Sequence, residues 1–366
     1  MSEEKKYAAI HYASYLQIEK LLDAQQPRSA SFGKEAHEEM LFIIIHQVYE
    51  LWFKQMLHEL DSVMLLFSEE KVDEKNISIA VSRLERINEI LKLLIQQIAV
   101  LETMTPLDFL DFRSYLFPAS GFQSFQFRKM EIKLGLKLEK RHNYTGNHYY
   151  AEFANQEQEE ILRLEASDSL FTRVEKWLER TPFLEFKGFN FREQYLVAVE
   201  HMLEKERTAI QDSDYLHEHE KQMRIRMNGD AGSYFANIFN ESFHNDQIKE
   251  GKIRLSYKAT IAALLIQLYR DEPILQEPYR MLQAITEMDA LLTNWRYRHA
   301  QMVMRMLGRK TGTGGSSGHE YLMETVKKHQ IFLDFHNIST LLIPRSELPV
   351  LPDELKTTLG FYHSSK

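Results

Sequence analysis

The chain has 366 residues, 45 Lys and Arg against 53 Asp and Glu, a formal charge of −8 and 44% hydrophobic residues. That is enough for a sizeable core, as one large domain or a main domain with an insertion, and the lack of any long basic run argues against a nucleic-acid partner. The absence of cysteine excludes disulfides, zinc–thiolate and iron–sulfur centres, a thiolate haem ligand and CxxCH haem attachment, so a metal or haem would need His, Met, Tyr, Asp or Glu.

The first residues, MSEEKKY, lack the apolar stretch of a signal peptide. The longest apolar runs, 41–45 and 259–268, are too short to span a bilayer. The expectation is a cytoplasmic protein with no membrane partner. Residues 7–24 read as one short helix, with Tyr12 and Tyr15 on a shared face. Residues 37–67 read as a long helix carrying Phe42, Ile45, His46, Tyr49, Phe53, Met56 and Leu60 along one side. It is apolar enough all round to be expected deep in the fold. Residues 76–101 form an amphipathic helix with Ile87, Leu91, Leu94, Ile98 and Leu101 inward.

A short helix then carries Phe109, Arg113 and Leu116 and ends at Pro118. Ser120 with Gln123 has the spacing of a capping box that restarts a helix. Arg113, set among Phe109, Phe112, Tyr115 and Phe117, requires a carboxylate, internal or from a ligand. Residues 139–235 are polar, with helical islands at 157–180 and 191–211 and a loop or frayed helix after 212. The His-Glu-His-Glu run at 217–220 is read as a solvated face, because adjacent helical residues do not converge on one ion.

An apolar helix returns at 256–268, and Pro273 and Pro278 are expected to break the chain before the next one. That last long helix carries Ile285, Met288, Leu292, Trp295, Met302 and Met306 at alternating three- and four-residue steps, and His299 occupies the missing step. Gly308 supplies a stop, and a Gly/Ser/Thr loop follows, whose backbone N–H groups can approach a ligand closely. It is not a nucleotide loop: a helix precedes it, and no Gly-Lys-Ser/Thr follows. A helix at 321–329 and a mostly irregular, proline-bearing tail that can drape over a neighbour complete the chain.

The fold class is therefore all-α, a long-helix bundle. Its parts are a helical core half at 1–138, a helical insertion or lid at 139–238 and a second core half at 239–366. There is no Gly-x-Ser-x-Gly elbow and no HExxH motif. Glu139 with His142 and Glu241 with His244 have di-iron spacing but lie in polar, loop-like sequence. Two histidines on the two most apolar helices, an aromatic wall, an arginine and a small-residue loop are compatible with a haem pocket.

The stretches FIIIHQVYELWFKQMLHELDSV, LDFLDFRSYLFPASGFQSFQFRKMEIKLG, WLERTPFLEFKGFNF and WRYRHAQMVMRMLGRKTGTGGSSGHEYL resemble the tryptophan 2,3-dioxygenases. The likeness runs from about Tyr12 to the C-terminal region. It implies an all-α, cytosolic homotetramer with one haem b per subunit, cleaving the indole C2–C3 bond of L-tryptophan with O2 to give N-formyl-L-kynurenine. His299 matches the axial iron ligand, and His46 the distal histidine that meets the indole N–H. Phe42, Phe109 and Leu116 match pocket walls, Arg113 the partner of the substrate carboxylate, and Ser120 a residue at the haem edge. Thr313 matches the contact to the substrate ammonium. Tyr12 and Tyr15 match tyrosines that reach the pocket from a neighbouring subunit. The alternatives are a related haem dioxygenase acting on another indole, or a non-catalytic haem or tryptophan sensor.

Overall fold

The computed structural model describes residues 9–69, 72–137, 150, 153–308, 310 and 318–361. It is helical throughout apart from one two-strand turn. The N-terminal segment holds two short helices, α1 (Tyr12–Leu16) and α2 (Ile18–Leu22), where a single helix is expected from sequence. Gln17 between them takes a left-handed backbone (φ 53°). Neither helix buries a side chain, so no packing holds the register across the break.

Two long helices follow, α3 (His37–Leu66) and α4 (Glu74–Leu101), packed on each other. The five inward positions expected on α4 are all buried. α3 behaves differently from its composition. Phe53, Met56 and Leu60 are buried, but Met40, Ile44, Leu51 and Leu65 are exposed, so one apolar stripe faces outward. Thr105 and Asp108 cap each other at the start of α5 (Pro106–Arg113), with Pro106 in the first turn, where its missing N–H costs nothing. A 3-10 turn at Ser114–Leu116 continues it. Ser120 and Gln123 form the expected capping box around a second 3-10 turn, Gly121–Gln123, and Ser124 then caps α6 (Phe125–Leu134). α6 ends on Gly135 at φ 112°, where an added Cβ would lie 2.8 Å from the Ser169 hydroxyl; only glycine lets the chain turn there against its neighbour.

Next come α7 (Asn155–Glu165), α8 (Leu170–Leu178), the antiparallel pair β1 (Glu185–Phe186) and β2 (Phe189–Asn190), α9 (Phe191–Gln211), α10 (Glu218–Ile238) and α11 (Glu241–Lys249). Where sequence suggests a loop or frayed segment after 212, α10 is a continuous helix packed along α9. Glu220 reaches back to the His217 N–H at its start. Asn228, buried inside, donates to the Leu203 carbonyl at 3.1 Å and to Glu206 at 3.0 Å. His217 to Glu220 are all exposed, as a solvated face requires. Glu241 and His244 lie on helix rather than loop. His244 is buried and bonded to the Leu255 carbonyl at 2.9 Å, while Glu139 and His142 lie outside the described residues.

α12 (Tyr257–Leu268) is buried on nearly every side. α13 (Pro273–Leu307) begins earlier than expected: Pro273 sits in its first turn and Pro278 is accommodated inside the helix, at the loss of one backbone hydrogen bond. Gly308 stops it at φ 58°. α14 (Gly318–Lys328), α15 (Leu333–Asn337) and α16 (Asp353–Leu359) complete the chain. The proline-bearing tail packs on its own molecule instead of draping outward: Leu341, Ile343, Leu351, Leu355 and Leu359 all enter the main core. That core also takes α8 and the first half of α9, through Phe171, Val174, Phe191 and Tyr195. A second, smaller cluster forms where the first half of α3, the end of α4, α5 and the last third of α13 meet.

Candidate functional site between α3, α5 and α13

The second cluster takes in the three residues that sequence singles out as pocket walls, Phe42, Phe109 and Leu116. Ile45, Ile98, Leu101, Met104, Phe112, Met302 and Met306 are its buried floor, and Phe42, Phe109, Leu116 and Trp295 pack against it. Three phenylalanines make a compact wall. Phe42 lies 5.8 Å from Phe109 and 5.5 Å from Phe112, and Phe109 meets Phe112 edge to face at 5.4 Å. The two on α5 converge because positions three apart share a helix face.

His46 stacks on Phe42, one turn earlier on α3, with ring centroids 4.2 Å apart. Its Nδ1 lies 2.7 Å from the Phe42 carbonyl oxygen. A carbonyl can only accept, so Nδ1 carries the proton and Nε2 is left as a lone pair. The residue is accessible to solvent and yet crowded by protein, as a side chain lining a recess is. Burial lowers its pKa, against smaller upward pulls from the Phe42 carbonyl and Glu50.

His299 lies on α13 with its ring 5.4 Å from that of Trp295. Burial, helped by repulsion from His46, lowers its pKa to about 4. Both imidazoles are therefore neutral near pH 7. Among the described residues no hydrogen bond reaches the His299 ring, while Met302 and Met306 are buried on the next two turns of its helix. A neutral, unpartnered imidazole on an apolar helix face is suited to donate its lone pair to a soft or borderline metal.

Arg113 closes α5, one turn beyond Phe109, with its side chain half-buried. Ser120 is half-buried in its capping turn and accepts from the Phe122 N–H. Phe122 in turn meets Tyr321 of α14 edge to face at 4.7 Å. Tyr12 and Tyr15 are not brought to this pocket within the chain; they are 75% and 69% exposed. Thr313 and most of the glycine-rich loop lie outside the described residues.

One support, Glu50, escaped the sequence reading, and a second, Tyr49, was placed on the apolar side of α3 without its hydrogen bond. Glu50, one turn beyond His46, accepts from the Ser124 hydroxyl at 2.6 Å and from the Gln126 amide at 2.8 Å, tying α3 to the start of α6. A carboxylate inside an otherwise apolar helix was the available signal. Tyr49 packs on Trp295 at 6.1 Å and donates to the Leu94 carbonyl at 2.5 Å. Burial pushes its phenol up to about 12, so it stays an O–H donor.

The chain as a whole has similar relatives. The chain is 50% identical to a tryptophan 2,3-dioxygenase of Bdellovibrio bacteriovorus over 98% of its own length and 100% of that protein. It is 46% identical to a tryptophan 2,3-dioxygenase of Dictyostelium discoideum over 96% and 88% of the two chains, and 46% identical to tryptophan 2,3-dioxygenase B of Danio rerio over 93% and 84%. A sequence model described as tryptophan 2,3-dioxygenase matches residues 2–342, which take in α3, α5 and α13 and hence the whole pocket. The chain belongs to the tryptophan 2,3-dioxygenase family.

Proposed function

We propose that the pocket between α3, α5 and α13 binds haem b and L-tryptophan, and that the chain is a dioxygenase cleaving the indole C2–C3 bond to give N-formyl-L-kynurenine. The observation that carries this reading is the aromatic cluster of Phe42, Phe109 and Phe112 at the meeting of α3 and α5, with His46 held on the Phe42 carbonyl and His299 on the turn of α13 after Trp295, which packs on the same cluster. His299, with no internal partner, would hold the iron. Bound there, ferrous haem supplies the O2 chemistry, and both oxygen atoms enter the product, so no reductant is consumed per turnover.

The chain's own residues do the rest. His46, its Nδ1–H fixed on the Phe42 carbonyl, offers Nε2 as the acceptor for the indole N–H. Phe42, Phe109 and Leu116 give the indole a flat apolar wall. Arg113 grips the substrate carboxylate with a planar fork, and Thr313 meets the ammonium. Ser120 lies at the haem edge. The glycine-rich loop closes over the substrate and excludes water. Holding the indole in one orientation turns a collision into an oriented encounter.

The subunit is read as one of four. α1 and α2 bury nothing, yet they display Tyr12, Tyr15, Leu21 and Leu22 to solvent. α3 adds Ile44, Leu51 and Leu65 at seven- and fourteen-residue spacing. Surfaces of this kind call for a partner; with Tyr12 and Tyr15 completing a neighbour's pocket they find one in a second copy. No single described helix is long and apolar enough to cross a membrane, and the reading places the enzyme in the cytoplasm.

The direct test mixes anaerobically reduced, haem-loaded protein with L-tryptophan, admits O2 and weighs the product. A product heavier than tryptophan by two oxygen atoms supports the reading. A normal haem spectrum with no product would move the substrate to another indole or the role to sensing.

A further inference from the structure

Away from the pocket, a cluster of charges is buried at the base of α14. Glu131 on α6 is 1% exposed, Arg296 on α13 is 3% exposed, and His329, just past α14, is 3% exposed. One carboxylate oxygen of Glu131 accepts from Arg296 Nη2 at 3.0 Å and from His329 Nδ1 at 3.2 Å. The other accepts from Arg128 Nη1 at 2.7 Å. Arg296 also donates through Nη1 to the His329 carbonyl at 3.3 Å. Close by, Asp289 on α13 accepts from the N–H groups of Ile331 and Phe332 at 2.9 and 3.1 Å.

The placement matters more than the charge. α13 and α14 pack along each other as a hairpin, and the glycine-rich loop joins them at its tip. Near that tip, an added Cβ on Gly318 would stand 3.4 Å from Val303. α14, at 11 residues, is about 16 Å long, so the charge cluster anchors the end opposite the loop. Arg296 is also one turn before His299 on α13. Converging charge-assisted hydrogen bonds add a directional constraint on the helix's angle that apolar contacts do not supply. A rotation of roughly 20° about the helix axis moves a side chain some 6 Å out by about 2 Å. That is enough to misaim a ligand, since 1 Å of misplacement can cost about 100-fold in rate.

We propose that Glu131 is a positioning residue: by holding Arg296 and the end of α14 on α6, it fixes the α13–α14 hairpin from its base, and so the aim of His299. The inference rests on the reading of the pocket given under Proposed function. It does not require the cluster to stabilise the fold. Buried ion pairs often contribute little net stability against apolar replacements, which leaves orientation as the role to be tested.

The test compares haem-loaded wild type with Glu131→Gln and His329→Gln, and with Leu203→Ala on α9 as a destabilised control far from the pocket in sequence and packed against α10. Three readouts separate positioning from stability: the KM–kcat split for L-tryptophan, the iron–imidazole stretching band of the ferrous protein, and hydrogen exchange of residues 318–328 in the haem-free chain. Glu131→Gln should raise KM about tenfold, shift or broaden the iron–imidazole band and speed exchange across α14, with His329→Gln intermediate. Leu203→Ala should lower Tm and leave all three unchanged. If both glutamine variants match wild type within about twofold in KM, keep its band and protect α14 as wild type does, the positioning role is overturned. A wild type without an iron–imidazole band would overturn the pocket reading instead; exchange across α14, measured without haem, would still decide between an anchored and an unanchored hairpin. Should Glu131→Gln fail to fold, His329→Gln carries the same three readouts.

Discussion

His46 has two possible jobs, and its hydrogen bond separates them. With Nδ1–H held by the Phe42 carbonyl and its pKa lowered by burial, the ring is already neutral near pH 7 and already aimed. An acceptor that only orients the indole should cost binding when lost: His46→Ala is expected to raise KM for tryptophan about tenfold, with a smaller change in kcat. Loss of kcat at unchanged tryptophan affinity would assign the ring a chemical step. Arg113 is tested by what a lysine cannot copy. Arg113→Lys keeps the charge and loses the fork, so tryptophan binding should weaken by about 2 kcal/mol, roughly 30-fold. Indole, which lacks the carboxylate, should bind within about twofold of wild type; equal losses for both would remove the clamp role. His299→Ala should emerge from haem reconstitution without the axial-histidine spectrum, and added imidazole should restore it. A variant with an unchanged spectrum would send the iron ligand elsewhere.

At the scale of elements, α14 and its anchor make stability depend on pH in a direction fixed by the shifts. Burial lowers the pKa of His329, outweighing its bond to Glu131. Burial by itself would raise Glu131, but Arg128, the His329 hydrogen bond and Arg296 together hold it well below the usual carboxylate range. Both groups therefore bind fewer protons folded than unfolded on the acid side. Their contribution is complete above the ordinary histidine value of 6.5 and is lost as pH falls, first through His329 and then through Glu131. Tm of the wild type should fall between pH 7 and pH 5, and His329→Gln should flatten that interval. An identical slope in both proteins would mean that His329 does not titrate there. The same elements show what sequence could and could not reveal. Apolar periodicity locates α4 and α13 because one buried face imposes it, whereas α3 and α12 are legible from their apolar content on several sides. The Ser120–Gln123 box and the Gly308 stop are legible because caps are local chemistry. α10 was not, since its inward residues include a hydrogen-bonded Asn228 that carries no apolar signal. Nor was the start of α13, since Pro278 reads as a break and is in fact built in. The charge cluster was hidden for another reason: Glu131, Arg296 and His329 are ordinary polar residues until three distant segments meet, and no local pattern encodes that meeting.

At the scale of the whole molecule, the proposed role of Tyr12 and Tyr15 in a neighbour's pocket makes assembly part of catalysis, and both are exposed in their own chain. Both tyrosines stand on α1, none of whose residues is buried, so the energy that orders them must come from elsewhere. If a neighbouring subunit provides it, two kinds of damage can be placed on different chains. A variant with Arg113→Lys has a poor pocket and a sound N-terminal segment. A variant lacking residues 1–24 has a sound pocket and nothing to complete its neighbour's. Each should be weakly active alone, though both should bind haem, because His299 and the α3–α5–α13 cluster are untouched by the deletion. Co-expressed, they form mixed oligomers in which some intact pockets meet intact N-terminal segments. Activity per haem should then exceed the mean of the two parents several-fold, and sedimentation should show the assembly that produces it. If the mixture is no more active than that mean while the subunits do exchange, each chain completes its own pocket and the tyrosines must fold back onto it. If the truncated protein alone is fully active, the segment serves assembly and not the substrate.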